Sequence, residues 1–151
     1  MSRTWLALLA VARASASDCE SIGDADARNY SPGVAKADPS PCESIADADL
    51  RNHCRAVTRK DRGPCESIGD ADRRNRCRGE VGDAGACESI ADADQRNLCR
   101  AVARAEASPC ESIGNADLRN LCRGVVKKDR GPCESIADAD LRNRGRAESS
   151  P

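Results

Sequence analysis

The sequence contains no Phe, and Trp5 and Tyr30 are its only aromatic residues. Large aliphatic residues are thin as well, with scattered Leu, Val and Ile. A deep hydrophobic core is therefore excluded, because burial contributes only about 25 cal/mol per Å² of apolar surface. There is a single histidine, His53, so no Ser-His-Asp or Cys-His arrangement stands out above chance. Neither charge sign dominates: 24 Lys+Arg face 25 Asp+Glu, a formal net charge of -1. A dedicated nucleic-acid binder would show a basic stripe, and none is present. Charge is mixed along the chain, so acidic or basic tails are absent too. The one apolar run, Trp5 to Ala12, is too short to span a bilayer, and no stable membrane insertion is expected.

Cysteine is what the chain has in excess, with 10 in 151 residues. Scaffolds too small or too polar for a core usually add covalent staples. The cysteines sit in an internal repeat, Cys-Glu-Ser-Ile-(Gly/Ala)-Asp-Ala-Asp-x-Arg-Asn, whose copies start at Cys19, Cys42, Cys65, Cys87, Cys110 and Cys133. Asn115 replaces the first Asp once. The step of 23 residues, once 22, is at the short end for repeat architectures.

The N-terminus reads as an address. A short basic start (Arg3), the apolar run and the small-residue triplet Ala14-Ser15-Ala16 have the layout of a secretory signal peptide over residues 1–16. Export places the thiols where disulfides persist, in a secreted or periplasmic, cell-envelope location.

Within one copy, Ser108-Pro109-Cys110-Glu111 predicts a helix start, with Ser as N-cap, Pro at N1 and Glu closing a capping box. The recurring Glu thus reads as a cap rather than a catalytic acid. One straight helix does not fit the unit, because the apolar face jumps between Ile45 and Leu50 on a helical wheel. A short helix through Ile45 and a second one capped by Asp47 explain the jump, and this helical hairpin is preferred to one bent helix. Gly23, Gly69 and Gly114 suggest a C′ glycine at the junction. Asp47–Arg51, Asp70–Arg74, Asp92–Arg96 and Asp138–Arg142 stand at the favourable i, i+4 spacing for ion pairs.

Four copies carry a second Cys twelve residues on: Cys42/Cys54, Cys65/Cys77, Cys87/Cys99 and Cys110/Cys122. A straight helix would separate these by about 18 Å, whereas a disulfide needs Cα atoms within about 7 Å. A hairpin closes that distance. The alternative joins neighbours, as in Cys54–Cys65, Cys77–Cys87, Cys99–Cys110 and Cys122–Cys133. Pairing inside the unit is preferred, and it leaves Cys19 and Cys133 unpaired or intermolecular. Ser31 and Gly145 take the second-Cys position in the end copies, which suggests that the end units cap a stack.

The fifth and fifteenth positions alternate together, Gly23/Gly33, Gly69/Gly79 and Gly114/Gly124 against Ala46/Ala56, Ala91/Ala101 and Ala137/Ala147. The segments Thr58–Pro64, Glu80–Ala86, Val102–Pro109 and Val125–Pro132 read as exposed turns, and Tyr30–Pro41 as the loosest internal stretch. Residues 17–147 form the six-repeat array in this reading, and 148–151 a disordered tail. The fold class is all-α: tandem short helical hairpins in a small disulfide-stapled, α-solenoid-like array.

The pattern from Cys110 to Arg123 resembles tandem cysteine repeats of uncharacterised exported bacterial proteins. In those repeats the first Asp is often followed by Pro; here that residue is Ala, so the junction is less firmly marked. In architecture alone the chain is similar to the disulfide-stapled, Sel1-like helical repeats, whose motif it lacks, and no function carries over.

Catalytic, cofactor-binding and metal residues are not assigned. Asp24-Ala-Asp26 opens like an acidic calcium loop, but Arg28 and Ala35 break the pattern. Zinc would need closely spaced Cys pairs, and none occurs. His53 occupies a variable slot before Cys54 and reads as a surface residue. The function expected is a non-enzymatic exported repeat protein acting as a structural, binding or self-assembly module. Its partners would be itself, another extracytoplasmic protein or a cell-surface component, with no nucleic acid. The alternative is a multicopy precursor processed into cysteine-stapled peptides, favoured by Arg59-Lys60 and Lys127-Lys128. The linkers Glu80–Ala86 and Val102–Pro109 lack a dibasic site, which counts against it.

Overall fold

The second to sixth repeats each fold as a 3₁₀ turn followed by an α-helix, and the two legs form the expected hairpin. The computed structural model describes residues 18–149; the signal peptide expected over residues 1–16 lies outside them. The α-helices are α1 (Ala25–Lys36), α2 (Ala48–Arg59), α3 (Ala71–Glu80), α4 (Ala93–Arg104), α5 (Ala116–Lys127) and α6 (Ala139–Glu148). The 3₁₀ turns before α2 to α6 span Ser40–Ser44, Gly63–Ser67, Ala84–Ser89, Ser108–Ser112 and Gly131–Ser135. The first unit instead begins with a helical segment at 18–20. No strand occurs among the described residues.

The first Asp of each motif starts the long helix. Asp24, Asp47, Asp70, Asp92 and Asp138 are extended N-caps whose carboxylates accept a backbone N–H three residues on. Asn115 does the same for α5, which is why one amide is tolerated in a row of acids. The junction itself needs no left-handed glycine. Ile45, Ile68, Ile90, Ile113 and Ile136 end the 3₁₀ turns in extended conformation, and Gly82 is the one glycine with positive φ among the described residues. The expected C′ glycine is thus replaced by a β-branched residue that swings the chain outward while burying its side chain. All six Ile are at most 2% exposed.

Disulfides join Cys42 to Cys54, Cys65 to Cys77, Cys87 to Cys99 and Cys110 to Cys122, each with Cα atoms 5.6 Å apart. Beside each bridge the neighbouring residues form an ion pair. Glu43 holds Arg55, Glu66 holds Arg78, Glu88 holds Arg100, and Glu111 holds Arg123; the same pair, Glu134–Arg146, recurs in the last unit without a bridge. Each Glu accepts two guanidinium hydrogen bonds, as at Glu43 (2.9 and 2.5 Å). The capping-box reading of this Glu is therefore corrected: its carboxylate spans the hairpin, and the first N–H of three of the 3₁₀ turns is taken instead by Asp38, Asp61 or Asp129, two residues earlier. The expected Asp–Arg pairs at i, i+4 are also not among the ion pairs of the described residues. Arg51, Arg74, Arg96 and Arg142 donate to the carbonyl of the preceding Ile, at 2.7–2.8 Å, and tie the two legs together.

The second Asp of each motif reaches the next unit. Asp26 accepts from the N–H groups of Ala46 and Asp47, Asp49 from Gly69 and Asp70, Asp94 from Gly114 and Asn115, and Asp117 from Ala137 and Asp138. One further contact of this kind closes the molecule: Asp140 of the last unit accepts from Gly23 N–H of the first, at 2.9 Å. Asn143 donates to the Ser21 carbonyl as Asn29 does to Ser44 and Asn97 to Ser112. Arg130 adds an ion pair with Asp18 at 2.8 Å. The array is thus a closed ring of six units, and α6 packs on α1 as α1 packs on α2. The end units do not cap an open stack; they seal each other.

The helices run further than the linkers suggest. α1 continues through Pro32 to Lys36, so Tyr30–Pro41 is half helix rather than loop. Glu80, Val102 and Val125 lie within helices and point toward the centre of the ring, not outward. At the C-terminus Ala147, Glu148 and Ser149 are all buried, so the folded array extends beyond residue 147.

Candidate functional site at the ring axis

Residues that differ between copies are gathered on the axis. The twelfth position of the unit, just before the second Cys, holds Tyr30, His53, Arg76, Leu98, Leu121 and Arg144 in turn. The sixteenth holds Val34, Val57, Glu80, Val102, Val125 and Glu148. One helical turn separates these positions, so both project from the same face of each helix. That face meets the other five at the centre, where a cavity of about 150 Å³ is lined from every unit.

Half of this hub is apolar, made by Leu98, Leu121, Val102 and Val125. The other half is an ionised cluster. Glu80 accepts from Arg76 Nε at 2.7 Å and contacts His53 Nε2 at 2.7 Å. Arg144 Nε donates to Glu148 at 2.8 Å, and the guanidinium lies over the Tyr30 ring, 5.2 Å from its centroid. Tyr30 and His53 meet edge to face at 5.7 Å. His53 is 7% exposed, so it is a buried member of this cluster and not a surface residue.

The electrostatics follow from burial and pairing. Burial alone would raise the Glu80 carboxyl, but Arg76 and His53 outweigh it and hold it well below the usual carboxylate range. The Glu148 carboxylate keeps Arg144 protonated. Burial pushes the Tyr30 hydroxyl upward. A second cavity of about 350 Å³ opens from the hub toward the helix N-termini, past Asp24, Asp26, Asp47 and Asp49. Tyr30, Arg76 and Arg144 line both spaces and so form the layer between them.

The acidic pairs considered for calcium face other partners: Asp24 accepts from Ala27 N–H and Asp26 from the next unit's backbone. Among the described residues no cluster of three metal-ligating side chains is assembled. The free thiols are buried. Cys19 is 4% exposed, and burial pushes it up to about 11; Cys133 is fully buried against Ser149. Neither can reach another chain without opening its unit, so the head-to-tail linkage open to unpaired cysteines does not fit the folded ring. Among the described residues no helix is long and apolar enough to cross a membrane.

The hub escapes sequence reading because each copy hides its residue in a slot that looks merely variable. The signal was there in the period: Arg and Glu occupy the twelfth and sixteenth positions together in the third and sixth units only. No family model matches the chain, no curated protein is similar to it, and no solved structure matches its fold.

Proposed function

We propose that the chain is an exported, non-enzymatic ring that serves as a binding or self-assembly module. The observation that carries this reading is closure. Each unit donates an Asp to its neighbour's helix start, including the last to the first, so the six copies are parts of one object. Cut peptides would lose those contacts at both edges. The dibasic pairs also support the intact chain, since Arg59 and Lys127 end helices and Lys60 and Lys128 are their C-caps. The four bridges suit an oxidising, extracytoplasmic location. Nothing in the hub pairs an activated nucleophile with a base, and identical rim surfaces suit binding to itself, to another extracytoplasmic protein or to a cell-surface component.

The test is the secreted product itself. Intact-mass spectrometry is expected to give a single chain lacking the leader, and small-angle scattering a compact particle rather than a rod. Fragments near one repeat in mass would refute the reading in favour of a processed precursor.

A further inference from the structure

Copies four and five show that the hub can be built from Leu and Val alone. Units one, two, three and six instead place there a buried tyrosine and histidine and two Arg–Glu pairs, whose glutamate side chains are 8% exposed and whose arginines, Arg76 and Arg144, keep 21% and 25% of theirs in solvent. Replacing buried ion pairs by apolar residues of similar volume is often neutral or stabilising, so folding does not call for this cluster. A guanidinium carries five N–H donors. Arg76 uses Nε on Glu80 and Nη1 on Gln95 Oε1 at 3.3 Å. Arg144 uses Nε on Glu148, and among the described residues no hydrogen bond engages its Nη groups. Both side chains border the 350 Å³ cavity, roofed by Tyr30, His53 and Leu50. The rim carboxylates are turned onto peptide N–H groups at the helix starts, whose positive dipole ends offset their charge.

We infer that this axial cavity binds a small organic carboxylate, its two oxygens held by the open edges of Arg144 and Arg76 and its body against Tyr30, His53 and Leu50. A planar fork matches a carboxylate with two parallel hydrogen bonds, and the ring walls suit an apolar or aromatic body. The cavity volume lies at the lower end of the small-ligand range. This inference rests on the binding-module reading and assigns it a ligand class.

The test is calorimetry on the full oxidised chain with benzoate as probe, and with benzamide and inorganic phosphate as comparisons. One benzoate per chain is expected, with benzamide and phosphate weaker by about tenfold or more. The variant Arg144→Leu with Glu148→Val copies the fourth and fifth units, so it should keep the wild-type circular dichroism and lose about tenfold or more in benzoate affinity. Arg144→Lys, which keeps the charge and not the fork, should weaken binding severalfold. Benzoate quenching of Tyr30 fluorescence gives a second readout. Absence of benzoate binding, equal binding of phosphate, or unchanged affinity in the variants would each overturn the inference. An intact single chain that ignores benzoate defeats this inference alone; repeat-sized fragments defeat the module reading.

Discussion

At the scale of residues, the paired alternation of Gly and Ala separates into two unrelated causes. The fifteenth position packs on the next unit's sulfurs. A Cβ at Gly79 would stand 2.5 Å from Cys99 Sγ and 2.6 Å from Cys87 Sγ, whereas Ala56 and Ala101 are accommodated and fully buried. A Cβ at Gly124 would likewise crowd Cys133 Sγ, although its linker has the common length. The fifth position has no such limit, since a Cβ at Gly69 would lie 3.8 Å from the Asp49 carboxylate. Gly79→Ala should therefore destabilise by about 1–3 kcal/mol. Gly69→Ala should be neutral or stabilise by up to about 1 kcal/mol through the unfolded state. Denaturant titrations followed by circular dichroism distinguish the two.

Residue chemistry also fixes the pH range. Glu66, held by Arg78 and Arg62, is lowered to about 2, and Glu43, Glu88, Glu111 and Glu134 are lowered by their own arginines. A depressed carboxyl contributes stability above its unfolded value, and that stability is lost as pH falls through the folded one. The melting temperature should accordingly decline from about pH 4.5 toward pH 2. Cys19, raised to about 11 by burial, works at the other end. It contributes below its ordinary value of 9, and the contribution fades as pH rises from there to about 11. Thermal melts across pH check both arms, and a flat acid limb would contradict the clamp assignments.

At the scale of elements, α1, α2, α4 and α5 end on non-glycine residues in the left-handed region: Ala37, Lys60, Ala105 and Lys128, with φ of 51–52°. Each N–H there bonds back into the last turn, as Ala37 does to Val34 and Asp38 to Gly33. The conformation costs an L-residue about 1 kcal/mol or more, which glycine escapes. Lys60→Gly should stabilise by about 0.5–1 kcal/mol, and chemical unfolding measures it. The hairpin of the last unit has its clamp and lacks its bridge. A Cβ at Gly145 would lie 2.8 Å from Cys133 Sγ and 3.3 Å from its Cβ, close to disulfide geometry. Gly145→Cys should form that bridge, reduce the denatured-state thiol count from two to one, and stabilise by about 3 kcal/mol. A count that stays high would show that the site cannot close.

At the scale of the whole molecule, covalent bridges and polar latches replace a core. The largest fully buried side chains are one Ile per unit and the cystines. Each bridge closes a short loop, contributing on the order of 3 kcal/mol, so four together, about 12 kcal/mol, are as large as the whole net stability of an ordinary small domain. With every bridge reduced and blocked, most of the helical circular dichroism should vanish at 37 °C. Retention of the full signal and melting point would show that the ring's packing alone suffices.

The sequence by itself determined the unit. Its period, its two-legged form, the Asp caps and the twelve-residue cysteine spacing all depend on interactions within about a dozen residues, where chain connectivity leaves few choices. The partners of Glu43 and Arg51 were misread from sequence because the hairpin brings distant groups closer than the next helical turn. Only the tertiary structure decided closure, since whether six equal steps complete a circle depends on a small rotation per unit that no single repeat encodes. Closure in turn created the hub, and it turned a variable slot occupied by Tyr30, His53, Arg76 and Arg144 into one charged chamber.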